Sequence, residues 1–155
     1  ISPIYMILLH LGLTNSYIGL IIPYITITLP LSIWLLVTFF RKIPQELEES
    51  AKIDGATLMQ TYWRIILPLA VPGIFTTAIL AFIAAWNEFL YALTINTDQA
   101  YKTVPVGIAM FQGQYSIPWG EICAATVVVT IPLVVLVLIF QRRIVSGLTS
   151  GSVKE

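Results

Sequence analysis

Side chains that could perform covalent or metal chemistry are scarce and far apart in this sequence. The chain of 155 residues contains a single histidine, His10, and a single cysteine, Cys123. A metal site needs several ligands close together and a nucleophile needs a neighbouring base, and neither arrangement occurs here. No glycine-rich loop ending in Lys-Ser or Lys-Thr is present to hold nucleotide phosphates. The sequence therefore predicts no catalytic residue, no metal site and no cofactor, so we do not expect an enzyme.

The composition points to a lipid bilayer as the surroundings of the chain. Hydrophobic residues make up 57% of the sequence and charged residues 10%, against about 25% charged residues in an average soluble domain. Eight basic residues balance eight acidic ones, so the net charge gives no reason to expect nucleic acid as a partner. A soluble fold would struggle to hide this much apolar surface, and we expect a membrane protein.

Three apolar stretches are long enough to cross a bilayer, which takes about 20 residues of α-helix. The predicted spans are residues 17–40, 65–87 and 119–141, and the last of these carries no formal charge from Ile122 onward. Because the backbone must satisfy its own hydrogen bonds in hydrocarbon, each span should be a helix. The apolar residues 1–11 are too few to span, and we expect them to be the end of a helix that begins earlier in a longer protein.

The basic residues predict the orientation of these spans. Four of them lie between the first and second spans and three follow the third, whereas Lys102 alone lies between the second and third. Loops rich in Lys and Arg tend to stay in the cytoplasm. We therefore assign the connection 41–68 and the tail 142–155 to the cytoplasm. Residues 88–118 should then form an external loop or a partly re-entrant segment.

The polar connection 41–68 has the pattern of two short helices joined by a turn. Pro44 can start the first helix, three glutamates favour its N-terminal half, and Gly55 can end it in a left-handed cap. Apolar residues then recur at helical spacing and form one face, at Leu58, Tyr62, Ile65 and Leu69, with Met59, Trp63 and Ile66 beside them. The pattern predicts a compact knob whose apolar face can rest on the bundle or on a partner.

The spacing within this connection resembles the cytoplasmic EAA loop of ABC importer permeases. Glu49-Ser50-Ala51 is followed after three residues by Gly55, within Asp54-Gly55-Ala56, and after nine more by Ile65-Ile66-Leu67-Pro68. Ser50 stands where the family commonly has alanine, and both residues are small. The resemblance extends to segments that look like the carbohydrate branch, specifically the second permease subunit of maltose- and trehalose-type transporters: 86–89, 103–107 and 141–154.

The resemblance implies an all-α polytopic transmembrane helix bundle with a cytoplasmic helix-turn-helix coupling loop. The chain would be the C-terminal part of one permease transmembrane domain, with about six spans in the intact protein, in the plasma membrane of a bacterium or archaeon. Its function would be import of a sugar, of the di- or oligosaccharide class, by alternating access. The implied partners are a second permease subunit, two ATP-binding subunits and an extracytoplasmic solute-binding protein, besides the sugar and the lipid bilayer.

The same resemblance implies roles for individual residues. The loop that couples to the ATPase comprises Glu49, Ser50, Ala51, Asp54, Gly55, Ala56, Ile65, Leu67 and Pro68. The tail would contact the ATPase through Gly147, Thr149, Gly151 and Lys154. Hydrogen-bonding and stacking groups at the external ends of the second and third spans are candidates for the substrate path, namely Asn87, Glu88, Trp119 and Glu121.

Three alternatives to an importer permease are an ion-coupled secondary transporter, a helix at the membrane surface and a purely structural membrane subunit. An ion-coupled secondary transporter relies on ionisable groups or broken helices near the middle of the bilayer. The middles of the three spans carry no formal charge, which disfavours this alternative. For the connection 41–68, an amphipathic helix lying at the headgroups would be rich in Lys and Arg, but this segment begins with glutamates. A purely structural membrane subunit would have no use for a docking knob.

Overall fold

The computed structural model describes residues 1–111 and 117–149, with side chains up to Gln141 in the last helix. In these ranges every regular element is a helix or a helical turn, which confirms the predicted all-α class. The elements are α1 (Ser2–His10), α2 (Tyr17–Phe40), α3 (Gln45–Ile53), α4 (Leu58–Thr61), a π-helical turn (Tyr62–Ile66), α5 (Leu67–Trp86), α6 (Leu90–Ile95), a 3-10 turn (Gln99–Tyr101), α7 (Val104–Ala109) and α8 (Trp119–Thr149).

Three helices in the described part of the chain are long and apolar enough to cross a membrane: Tyr17–Phe40, Leu58–Trp86 and Trp119–Gln141. The first has the predicted boundaries, and the third begins at the predicted residue 119. The second begins earlier than the predicted residue 65, because α4, the π-turn and α5 form one uninterrupted helix. The second helix of the knob is therefore the beginning of the second span and not a separate short helix.

Pro68 accounts for the π-turn inside this long helix. The N–H of Leu67 donates to the carbonyl of Tyr62, five residues back, where an α-helix would use the residue four back. Proline has no N–H, and its ring crowds the carbonyl four residues before it, which here belongs to Arg64. A wider turn just before Pro68 relieves this crowding without ending the helix.

The described residues divide into two compact units. The first contains residues 1–29 and 82–138, and its buried core consists of Leu8, Leu20, Ala92, Ile95 and Val106. The short helices α6 and α7 supply three of these core residues, and Ala92 and Val106 are fully buried. The connection between the second and third spans is thus not a solvated loop in its described part. It forms short packed helices, and its placement as an external loop or as a partly re-entrant segment stays a prediction.

Two polar contacts tie loops together within the first unit. Asn15 follows α1 in a left-handed conformation, with φ of 51°. Its side-chain oxygen accepts hydrogen bonds from the N–H of Asp98 at 2.8 Å and from the hydroxyl of Thr97 at 3.3 Å. The turn between α1 and α2 is therefore fastened to the loop that follows α6.

The second unit contains residues 30–81 and the end of α8 from Ile139. It includes the whole knob together with the parts of α2 and α5 that adjoin it. Leu35 on α2 and Ala70 on α5 are each 2% exposed and form part of its interior.

Helix α8 does not end where the third span is predicted to end. Its backbone stays helical from Gln141 to Thr149 and passes straight through Gly147. Gly147 does not interrupt the helix, because a glycine is tolerated within an otherwise continuous helix. Gly151 and Lys154 lie outside the described residues.

Candidate functional site

The turn at the centre of the knob is fixed by hydrogen bonds at the end of α3. Gly55 has φ of +79°, the left-handed conformation predicted from the sequence. The N–H of Ala56 donates to the carbonyl of Ala51 at 2.9 Å, and the N–H of Gly55 donates to that of Lys52 at 3.1 Å. This pair of bonds is the Schellman motif, which satisfies carbonyls that the helix end would otherwise leave without donors. α3 therefore stops sharply.

Only two residues, Ala56 and Thr57, separate Gly55 from the next helix, which begins with a capping box that we did not predict. The hydroxyl of Thr57 accepts from the N–H of Gln60 at 3.3 Å, and the side-chain oxygen of Gln60 accepts from the N–H of Thr57 at 2.9 Å. The signal was present in the sequence, since threonine followed three residues later by glutamine is typical of a helix start. Both sides of the turn are thus held by specific hydrogen bonds.

The interior of the knob is small and well packed. Ala51 is 4% exposed and Thr61 is 3% exposed, one on each helix of the knob. The hydroxyl of Thr61 donates to the carbonyl of Thr57 at 3.1 Å, so burying it leaves no hydrogen bond unmade. Small side chains at these positions let the two helices approach closely. The knob is built to keep its shape.

The second helix of the knob carries four large, exposed apolar side chains that line one shallow depression, which we call the apolar patch: Leu58, Met59, Tyr62 and Trp63. Leu58 is 75% and Trp63 60% exposed. The indole N–H of Trp63 points at the sulfur of Met59 at 3.1 Å, which holds these two side chains against each other. Exposed apolar clusters of this kind, bordered by polar residues, mark sites of interaction. Ile65 and Ile66 in the π-turn are only partly exposed and do not extend the patch.

The other residues assigned to the coupling loop have different surroundings. Glu49, Ser50 and Asp54 are exposed on α3 and at its end. Leu67 is partly buried at the start of α5, and Pro68 beside it is exposed. The loop thus presents an acidic, polar side on α3 and an apolar side on α4, while Ala51 and Ala56 hold the two together.

Two of the residues assigned to the substrate path form hydrogen bonds at the end of α5. The side-chain amide of Asn87 is exposed and donates to the carbonyl of Ile83 at 2.8 Å. Glu88 accepts hydrogen bonds from the N–H groups of Tyr91 at 2.8 Å and Ala92 at 3.1 Å. These two donors belong to the first turn of α6 and have no acceptor within that helix. Glu88 therefore serves as a cap for α6.

Glu88 also connects two of the membrane spans. Its carboxylate accepts a hydrogen bond at 3.0 Å from the hydroxyl of Tyr24, which lies on α2. One carboxylate thus joins α2, the end of α5 and the start of α6, all within the first unit. A charged acceptor gives stronger hydrogen bonds than a neutral one.

The remaining two path residues lie at the start of α8. Trp119 is 65% exposed, and Glu121 is exposed in the first turn of the helix. Within the described residues, no hydrogen bond or ring contact joins them to Asn87 or Glu88. The grouping of the four path residues in one site therefore stays a prediction.

The comparison with protein families matches residues 2–150 to the binding-protein-dependent transport system inner membrane component. The match covers nearly the whole chain, including both the knob and the packed segment between the second and third spans.

Individual relatives are also closely similar. The chain is 54% identical over 93% of its length to the trehalose/maltose transport system permease protein MalG of Thermococcus litoralis, covering 52% of that protein. It is 53% identical over 99% of its length to the trehalose transport system permease protein SugB of Mycobacterium tuberculosis, covering 57%. It is 47% identical over 98% of its length to the sulfoquinovosyl glycerol transport system permease protein SmoH of Agrobacterium fabrum, covering 53%.

The chain thus spans about half the length of these relatives. Three observations agree with one another: the three helices of the described residues that are long and apolar enough to cross a membrane, the match over residues 2–150 and the identities of about one half. The chain belongs to the family of binding-protein-dependent transport system inner membrane components, which are multi-pass transport permeases and not enzymes.

Proposed function

We propose that the protein to which this chain belongs is a permease subunit of an ATP-binding-cassette importer that carries a di- or oligosaccharide across the membrane by alternating access. The observation that carries the proposal is the apolar patch on a rigidly capped knob between two membrane spans. The knob has no catalytic group of its own, so its exposed apolar side chains suit a protein partner. The relatives named as trehalose and maltose permeases support the choice of substrate class.

The proposed partners follow from this role. A second permease subunit completes the pathway, two ATP-binding subunits dock on the knobs and hydrolyse ATP, and an external solute-binding protein delivers the sugar. In this arrangement the knob and the tail face the cytoplasm, as the distribution of Lys and Arg predicts. The acidic side of α3 and the apolar patch on α4 together give the ATP-binding subunit a surface with two distinct chemistries.

The patch provides the test. In the full-length permease assembled with its partner subunits, Trp63→Ala should weaken retention of the ATP-binding subunit in a pull-down and lower ATP-driven uptake of radiolabelled trehalose and maltose into proteoliposomes. Truncating one buried aromatic anchor at an interface typically costs about 2 kcal/mol or more. Trp34 on α2 is the matched control, because it is a tryptophan with 58% exposure that lies within a membrane span.

Trp34→Ala should leave binding of the ATP-binding subunit unchanged. Equal retention of that subunit by the Trp63→Ala and wild-type permeases would remove the patch from the docking surface. Uptake that persists with a hydrolysis-deficient ATP-binding subunit and stops with an ionophore would instead support the ion-coupled secondary transporter.

A further inference from the structure

A ring on α2 occupies a position on α5 that only glycine leaves open. The ring of Phe39 lies directly against the backbone of Gly73, which is buried. A Cβ added at Gly73 would overlap Cγ of the ring and lie 2.7 Å from each of its two Cδ atoms. Cβ atoms in real proteins do not approach other atoms this closely, so the ring and a larger residue cannot both keep their places. We call this contact the Phe39–Gly73 socket.

The socket lies just beyond the weakest part of the long helix 58–86. Between Met59 at the start of the apolar patch and Gly73 the helix contains the π-turn and two prolines, Pro68 and Pro72. Each proline removes one main-chain hydrogen bond. The two prolines are four residues apart and therefore weaken the same side of the helix. Bending at this segment would absorb a displacement of the knob before it reached the middle of α5.

The surroundings of the socket are close-packed, unlike the π-turn that precedes it in the same helix. Leu35, one turn before Phe39 on α2, and Ala70, on the face of α5 next to Gly73, are each 2% exposed. The hydroxyl of Thr77, which is buried, donates to the carbonyl of Gly73 at 2.9 Å, so its burial beside the socket leaves no donor unpaired. A tightly packed contact transmits displacement because it cannot be compressed without strain.

We infer that the Phe39–Gly73 socket holds the proline-weakened start of α5 against α2. Displacement of the knob then moves α2 and α5 together, and bending of α5 does not absorb it. Gly73 and Phe39 are then positioning residues for energy coupling, apart from the docking surface itself. The inference rests on the proposed function, because it needs the knob to be moved by a partner that hydrolyses ATP.

The test is the ratio of sugar uptake to ATP hydrolysis in the complete transporter reconstituted in proteoliposomes, with radiolabelled trehalose and maltose as probes. Gly73→Ala should leave the ATP-binding subunit bound and hydrolysing ATP, while uptake per ATP falls at least about fivefold, the lower end of common coupling effects. The double variant Gly73→Ala with Phe39→Leu should recover most of this ratio, because leucine removes the ring atoms that the new methyl group meets. Phe39→Ala, which empties the socket without overcrowding it, should also lower the ratio.

Gly107→Ala is the matched control, since Gly107 is a glycine in helix α7 with no atom within 4 Å of an added Cβ. It should leave the ratio unchanged. A wild-type ratio in both Gly73→Ala and Phe39→Ala would overturn the inference. So would a parallel loss of complex yield, ATP hydrolysis and uptake at a constant ratio, which indicates packing stability alone. Absence of ATP-dependent uptake in the wild-type transporter would count against the proposed function instead.

Discussion

Replacing Glu88 distinguishes a structural carboxylate from a residue that binds sugar. In the structure its two oxygens accept hydrogen bonds from the hydroxyl of Tyr24 and from the N–H groups of Tyr91 and Ala92. Glu88→Ala removes both acceptor oxygens and with them all three hydrogen bonds. Glu88→Gln keeps one oxygen and nearly the same volume, and Tyr24→Phe removes a single donor. The three variants therefore dissect the contacts of one side chain.

The magnitudes follow from the contacts. Tyr24→Phe should lower the free energy of unfolding by about 1.5 kcal/mol, the value typical of one hydrogen bond to a charged group. Glu88→Ala should lower it by about 2–4 kcal/mol, because it also removes the cap of α6, which typically contributes about 1 kcal/mol. The free energy of unfolding of Glu88→Gln should be lower than that of wild type but higher than that of the other two variants. One amide oxygen remains in this variant and can still accept a hydrogen bond from the backbone of α6.

The assay has two measurements on the full-length permease complex. In thermal unfolding in detergent, wild type should have the highest melting temperature and Glu88→Ala the lowest of the single variants. The double variant Glu88→Ala with Tyr24→Phe should melt no lower than Glu88→Ala alone, because both changes remove the same hydrogen bond. The KM for sugar uptake should stay near wild type in Glu88→Gln. A raised KM without any loss of thermal stability would refute the structural role and place Glu88 in contact with the sugar.

Two further predictions concern the knob. In a Cys123→Ser background, a single cysteine at Lys52 should resist a membrane-impermeant thiol reagent in intact cells and one at Gln99 should react; labelling at Lys52 from outside would reverse the predicted orientation. Gly55→Val should weaken binding of the ATP-binding subunit in a pull-down, because a left-handed backbone at φ +79° costs a branched residue about 1–2 kcal/mol. Gly55→Asn, which tolerates this conformation, should bind nearly normally, and equal binding by both variants would contradict the backbone argument.

The features that the sequence predicts well are those fixed by local chemistry. The first span has the predicted boundaries because Tyr17–Phe40 is a long uncharged apolar run whose helical state follows from the bilayer alone. The cap at Gly55 follows from the same kind of reasoning, because glycine takes a left-handed conformation without the steric penalty that other residues incur. Neither feature depends on which other segments lie nearby.

The features that the sequence predicts poorly depend on contacts between distant segments. The hydrogen bond between Tyr24 and Glu88 has no signal in the sequence, because its two residues lie 64 positions apart on different elements. The segment after Glu88 resembles a loop, yet Ile95 and Val106 are buried against α1 and α2 residues. Similarly, Gly73 is an ordinary helical glycine in the sequence, and its significance appears only with the ring of Phe39 against it.

The π-turn has a consequence for the direction in which the apolar patch faces. A π-turn holds one residue more than an α-turn, and each residue of an α-helix rotates the chain by about 100°. If residues 62–66 returned to α-helical geometry, the patch would rotate by about this angle around the axis of α5. Pro68 favours the π-turn, so Pro68→Ala, which restores an N–H for the carbonyl of Arg64, should produce this rotation and turn the patch away from its partner.

Pro72→Ala is the control, because it makes the same chemical change in the regular part of α5, where no π-turn is present. Spin labels at Met59 and Ala78, both exposed, lie on opposite sides of the turn. The distance between them should change in Pro68→Ala and stay the same in Pro72→Ala, and only Pro68→Ala should lose the ATP-binding subunit in a pull-down. If Pro68→Ala changed neither the distance nor the binding, packing and not proline would be the cause of the π-turn. The direction of the patch would then have to be explained by the contacts of Ala51 and Thr61 inside the knob.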